Sequence, residues 1–169
     1  MAQSFSVALT EMTANRNLLS IIEKLQYALC TRLLSSGGLA IKAGGSAVVK
    51  TVNTIKYMIA GNMYSKAAGD MAALSGTVTN AKFNIFYFFV NSSGTVTTVM
   101  GTQGDTLADV VPPLTSFDGT KTLIGMLIIN PTGTGNFVGG TTPLDDATVV
   151  PNAVYIDVVG SYNPNLVAL

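Results

Sequence analysis

"FNIFYFFVNSSGTVTTVMGT", residues 83–102, joins an eight-residue apolar and aromatic run to a Ser-Ser-Gly turn and a Thr-rich return. The segment holds five of the thirteen Phe and Tyr residues of the chain. In strand geometry alternate side chains face opposite ways, so Phe83, Ile85, Tyr87 and Phe89 line one face and Asn84, Phe86, Phe88 and Val90 the other. Both faces call for burial. A single small sheet has one dry side, so this strand belongs to a two-layer body or touches another subunit. Phe86 and Phe88 are on that account candidates for self-association.

Working outward, the period-two pattern dominates everything from residue 39 onward. Leu39–Ile41, Ala47–Val49, Thr54–Ile59, Met63–Tyr64, Phe83–Val90, Thr95–Met100, Thr122–Ile129 and Ala153–Val159 read as short strands separated by Gly, Asn, Pro or Ser clusters. No strand-helix alternation supports a parallel α/β sheet. The fold class expected is mainly β: an N-terminal amphipathic helix followed by an antiparallel β-sandwich or open barrel. Asp105–Val111, stopped by Pro112-Pro113, is expected to make one helical turn.

Ahead of the strands, residues 14–34 contain no Gly or Pro and place Leu18, Ile22, Leu25 and Leu29 at alternating four- and three-residue steps. The spacing predicts an amphipathic helix, capped by Thr10 or Thr13 and stopped by Ser35-Ser36-Gly37-Gly38. Its stripe either packs on the sheet of its own chain or joins subunits. Two units follow: residues 1–36, an arm and helix for attachment and oligomerisation, and residues 37–169, a β-rich body.

Length and composition bound the functions this chain can serve. A body of 169 residues buries roughly 70% of its unfolded surface and folds without staples. Its 48% hydrophobic and 11% charged residues set it well below the usual charged fraction of about a quarter. Much of the surface is therefore expected to meet other protein. Residues 1–82 carry eight Lys and Arg against three acids, whereas residues 83–169 carry Lys121 alone against six acids. Such halves suit head-to-tail contact or docking on an acidic protein surface. The basic residues are spread singly, which disfavours nucleic acid and anionic lipid as partners. Cys30 is the lone cysteine, so an intrachain disulfide is excluded and a buried thiol expected. FNIFYFFV and LIGMLII fall far short of the roughly 20 residues of a membrane helix, and no signal peptide is evident ahead of Arg16. No membrane partner is expected, and synthesis in a cytoplasm is.

Catalytic constellations are missing from the sequence. There is no His, which removes the commonest general base, the usual Ser and Cys triads and most zinc sites. The stretch GTGNFVGG, Gly133–Gly140, has the wrong spacing for a dinucleotide loop and opens no helix. Asp145-Asp146 is flanked by Pro143, Leu144 and Ala147 rather than by alternating oxygen ligands, and a solvated turn is expected there. Asp105 and Asp109 are expected to cap a turn. The chain is read as a non-enzyme with no catalytic residue, no cofactor and no metal. The scattered Tyr27, Tyr57, Tyr64, Tyr155 and Tyr162 neither establish nor exclude sugar binding.

The C-terminal third carries a resemblance. Lys121, Ile124, Gly125, Met126 and Ile128 make a strand of the form K-x-x-I-G-x-[ILM]-x-I, followed by the Gly/Thr-rich loop Phe137–Asp145 and a Tyr-containing strand ending V-G. More loosely, the N-terminal helix is followed by T-I-x-Y-x-I-x-G at Thr54–Gly61. This pattern resembles small virion proteins of tailed bacteriophages, with the doubled Gly139-Gly140 as a departure. The resemblance implies a capsid decoration, cement or head-fibre role on the virion, commonly as a homotrimer, with the major capsid protein or another virion protein as partner. It carries over no functional residue. A host-surface or glycan-binding module of a phage fibre or tail is the alternative on the same β body.

Overall fold

The computed structural model describes residues 15–16, 18–19, 21–22, 29–130, 134–151, 153–162 and 164. Among them the fold is mainly β. Twelve strands follow in chain order: β1 (Arg32–Leu33), β2 (Leu39–Ile41), β3 (Val49–Thr51), β4 (Ile55–Ile59), β5 (Asn62–Lys66), β6 (Gly69–Asp70), β7 (Thr77–Val78), β8 (Asn84–Asn91), β9 (Val96–Met100), β10 (Lys121–Ile129), β11 (Phe137–Val138) and β12 (Val154–Asp157). Every pairing between them is antiparallel. The central sheet has the order β12-β10-β8-β9, and smaller sheets run β1-β4-β5, β2-β3-β6 and β11-β7. Seven of the eight strand segments read from the period-two pattern coincide with strands, the expected Ala47–Val49 is shifted to Val49–Thr51, and the turn after Asp105 is a short 3-10 helix, Leu107–Asp109.

β8 shows why its two faces are both apolar. Phe86, Phe88 and Val90 join one core with Leu33, Ile55, Tyr57 and Ile59 of the β1-β4-β5 sheet and with Ile124, Leu127 and Phe137. Tyr87 and Phe89 join a second core on the opposite face with Phe117 and Leu123. Phe117, just after a second 3-10 turn (Leu114–Ser116), acts as the lid of that second core. Its ring meets Phe89 edge-on at 5.1 Å and Tyr87 at 6.2 Å between centroids, a geometry that adds roughly 0.5–1.5 kcal/mol per pair to burial. Both coverings come from the same chain. Phe86 and Phe88 are fully buried, which corrects their reading as self-association residues: a side chain with no exposed surface in its own chain offers nothing to a neighbour.

The centre of β10 is where the two cores are kept in phase. Leu123 pairs with Phe89 and Gly125 with Phe88, so Ile124 is an extra residue bulged out of the ladder. One inserted residue reverses the in-out alternation. Leu123 accordingly faces the Phe117 core, while Leu127 and Ile129, two and three pleats on, face the other. Gly125 follows immediately because nothing larger fits: a Cβ there would lie 2.4 Å from the Ile156 carbonyl oxygen and 2.5 Å from Leu39 Cδ1.

The expected helix over 14–34 is corrected at its C-terminal end. Arg32–Leu33 pairs with Met58 and Tyr57 as β1, and Leu33 is a core residue. Pairing with β4 satisfies the backbone and buries Leu33 together, a combination a solvent-facing helical turn lacks. Upstream, residues 15–16, 18–19, 21–22 and 29–30 have helical conformation, without a continuous amphipathic helix among the described residues. Leu25 and the proposed caps Thr10 and Thr13 lie outside them. Cys30 is half-buried rather than buried.

Candidate self-association surface

The helical residues ahead of β1 present large aliphatic side chains to solvent. Leu18 is 55% exposed, Ile22 40% and Leu29 58%, and Leu19 and Ile21 are exposed beside them. The segment is tied to the body at its C-terminal end. Gly61 N–H donates to the Cys30 carbonyl at 2.9 Å, and Ala60 N–H donates to Thr31 Oγ1 at 3.2 Å. Ala60 and Gly61 form the two-residue turn between β4 and β5, both with positive φ, 49° and 81°, the pattern of a type I′ hairpin. The exposed segment thus departs from this turn. None of the three described stripe residues, Leu18, Ile22 and Leu29, is packed into a core of its own chain.

The sheet next to it contributes an outward face. Arg32 on β1, Met58 on β4 and Met63 on β5 lie in one row across three strands, with Lys56 and Ser65 one pleat away. Met63 is 68% exposed, and Arg32 Nε is buried without a hydrogen-bond partner among the described residues. Sequence reading placed Met63 in a short strand without assigning it a role and did not single out Arg32. The available signal was the alternation in IKYMI, whose outward positions fall on Lys56 and Met58.

The carboxylates named from sequence are occupied locally. Asp145 accepts the Gly45 N–H at 2.9 Å and, with Leu144 N–H donating to Ser46 O at 2.9 Å, fastens the Phe137–Asp145 loop to the turn before β3. Asp146 accepts N–H bonds from Thr148 and Val149. Asp109 accepts from the Thr106 N–H and hydroxyl at 3.0 and 2.7 Å, and Asp105 is ion-paired with Lys82. The Asp105 and Asp109 carboxylates therefore serve different partners. Among the described residues no group of three His, Cys, Asp or Glu stands where it could hold a metal ion.

Aromatic side chains are engaged in packing. Tyr57 and Tyr64 stack with centroids 5.6 Å apart, and the Tyr57 hydroxyl donates to Asn91 O at 3.0 Å. Tyr162 closes over Phe117 at 5.8 Å. Burial pushes the Tyr87 hydroxyl up to about 12, reinforced by Tyr162; burial also raises Tyr57 and Tyr155. Comparison of the chain with family models, with curated proteins and with solved structures returns no match.

Proposed function

We propose that this chain is a non-enzymatic structural protein of a tailed-phage virion, self-associating as a trimer and decorating or cementing the capsid surface through its N-terminal part. The observation that carries the reading is the row of exposed aliphatics, Leu18, Leu19, Ile21, Ile22 and Leu29, five of them within one short segment ahead of β1. Each such residue gains roughly 1.5–3 kcal/mol when it leaves water, and in a symmetric assembly the gain recurs in every copy. The trimer number and the capsid as partner rest on the resemblance at Lys121–Ile128 and Phe137–Asp145. In this reading the body is an antiparallel sandwich and the amphipathic helix expected before β1 supplies the intersubunit stripe.

Two measurements test it. Leu18→Asp with Ile22→Asp should give soluble monomers that keep the β-sheet circular dichroism spectrum of the parent, because buried unpaired carboxylates are intolerable in an intersubunit stripe. A folded oligomer of unchanged size would remove the stripe from the interface. Electron microscopy of purified particles should show density at capsid lattice positions; density confined to the tail tip would replace decoration by the host-surface or glycan-binding role.

A further inference from the structure

The hydrogen-bond phase of the β1-β4-β5 sheet fixes which backbone groups of β5 face outward. Leu34 N–H donates to Lys56 O at 2.8 Å, so the even-numbered residues of β4 bond toward β1. The odd-numbered ones, Ile55, Tyr57 and Ile59, bond toward β5, where their partners are Lys66, Tyr64 and Asn62. Met63 and Ser65 consequently direct their N–H and C=O groups to the open side, and no described residue meets them. The other long edges differ. β9 is flanked by the 71–76 segment, through Thr98 Oγ1 donating to Ala72 O at 2.8 Å and Met100 against Gly76. Beside β12, Asp157 accepts the Leu39 N–H. β5 has neither cover, and of the features by which edge strands discourage pairing it carries only the terminal Lys66, without a Pro or a bulge.

We propose that the β5 edge pairs antiparallel with the β5 edge of a second copy, with Tyr64 at the two-fold axis. In that register Met63 and the partner's Ser65 exchange N–H···O=C bonds, and the symmetry repeats the exchange on the other side of the axis. Asn62 faces the partner's Lys66, and Tyr64 faces the partner's Tyr64. The two ammonium groups stand at opposite ends, with attachment points about 13 Å apart along the strand, whereas a parallel in-register pairing would set them side by side. The sequence NMYSK is thus self-complementary in one direction only. Met63, the most exposed large apolar side chain described, becomes a diagonal neighbour of the partner's Met63. The contact joins the edges of two β1-β4-β5 sheets into one six-stranded sheet. It is independent of the helical stripe and, acting beside it, would link stripe-bound assemblies into a lattice.

Amide hydrogen exchange on the full chain reads this contact directly. Asn62, Tyr64 and Lys66 amides bond to β4 and should be protected at every concentration. Met63 and Ser65 amides should exchange freely in dilute monomer and slow by at least about tenfold as concentration rises. Ser65→Pro, which removes an outward donor and leaves the β4 ladder intact, should abolish the slowing at Met63 while the protection of Tyr64 persists. The Leu18→Asp, Ile22→Asp variant separates the two surfaces, since it should keep the concentration-dependent protection of Met63 and Ser65. Free exchange at both amides in a concentrated, assembled sample would overturn the proposal. So would protection that appears only when particles lacking this protein are added, because the strand's occupant would then be a different chain.

Discussion

Ala60 shows how one side chain can hold a turn that its chemistry does not favour. Its φ of 49° is in the left-handed region, which costs an L-residue with a Cβ roughly 1–2 kcal/mol, and Asn or Gly is the usual occupant of a type I′ turn. The turn persists because the Ala60 and Gly61 amides are both used, on Thr31 Oγ1 and Cys30 O. Ala60→Asn should raise unfolding stability by about 0.5–1 kcal/mol, read as a later urea midpoint with unchanged slope; an earlier midpoint would contradict the turn assignment. Tyr87 supplies a pH dependence. Its hydroxyl titrates at about 12 in the folded chain and near 10 when unfolded. Between those values the unfolded state releases the proton and the folded state keeps it, so stability present below about pH 10 is lost as pH rises toward 12. Tyr87→Phe should lose less stability than the parent between pH 9.5 and 11.5 in parallel urea titrations. Equal losses would mean that the hydroxyl is not shielded.

At the scale of the element, β10 carries the most consequential irregularity. Its nine residues, KTLIGMLII, end in a seven-residue run without a polar side chain, and the strand was legible. The bulge at Ile124 was not, because the polar-free run from Leu123 to Ile129 leaves no in-out alternation whose phase could be seen to shift. Packing chooses the phase: Leu123 must reach Phe117 and Leu127 must reach Phe86 across the ladder. Gly125→Ala should destabilise by about 1–3 kcal/mol, since its Cβ would press on the Ile156 carbonyl and on Leu39. Chemical denaturation should show the loss with the spectrum of the native state retained, and an unchanged midpoint would mean that β12 and β2 do not approach β10 as closely as described. β1 was read as helix for a related reason. ALCTRLL satisfies helical spacing as well as it satisfies a strand, and the pairing of Arg32–Leu33 with β4 decides between them.

For the whole molecule, the oppositely charged halves of the sequence suggested contact between subunits. One such attraction is spent within the chain, where Lys82 of the basic half pairs with Asp105 of the acidic half across an exposed surface. Lys82→Ala should therefore cost at most about 1 kcal/mol and leave the sedimentation coefficient of the assembled protein unchanged; dissociation on this substitution would show that the charge asymmetry does act between copies. The exposed residues before β1 remain the feature that a lone chain does not account for. Their stripe was visible as a spacing, but the two environments open to it, own sheet or neighbour, produce the same spacing. The exposure of Leu18, Ile22 and Leu29 favours the neighbour.

The longer strands, the antiparallel β class and the need to bury both faces of residues 83–90 were determined by the sequence alone, because alternation and turn chemistry act between residues close in the chain. Tertiary structure decided what covers those faces. Phe117, a solitary aromatic after Pro112-Pro113, and Phe137, in a Gly/Thr-rich loop, carry no periodic signal, yet each closes against β8, Phe137 at 5.9 Å from Phe86. The same holds for β6, β7 and β11, two-residue strands too short to show a period. Their pairing energy comes from partners distant in sequence, Gly69–Asp70 against β3 and Phe137–Val138 against Thr77–Val78, and contacts made across such separations leave no local pattern to read.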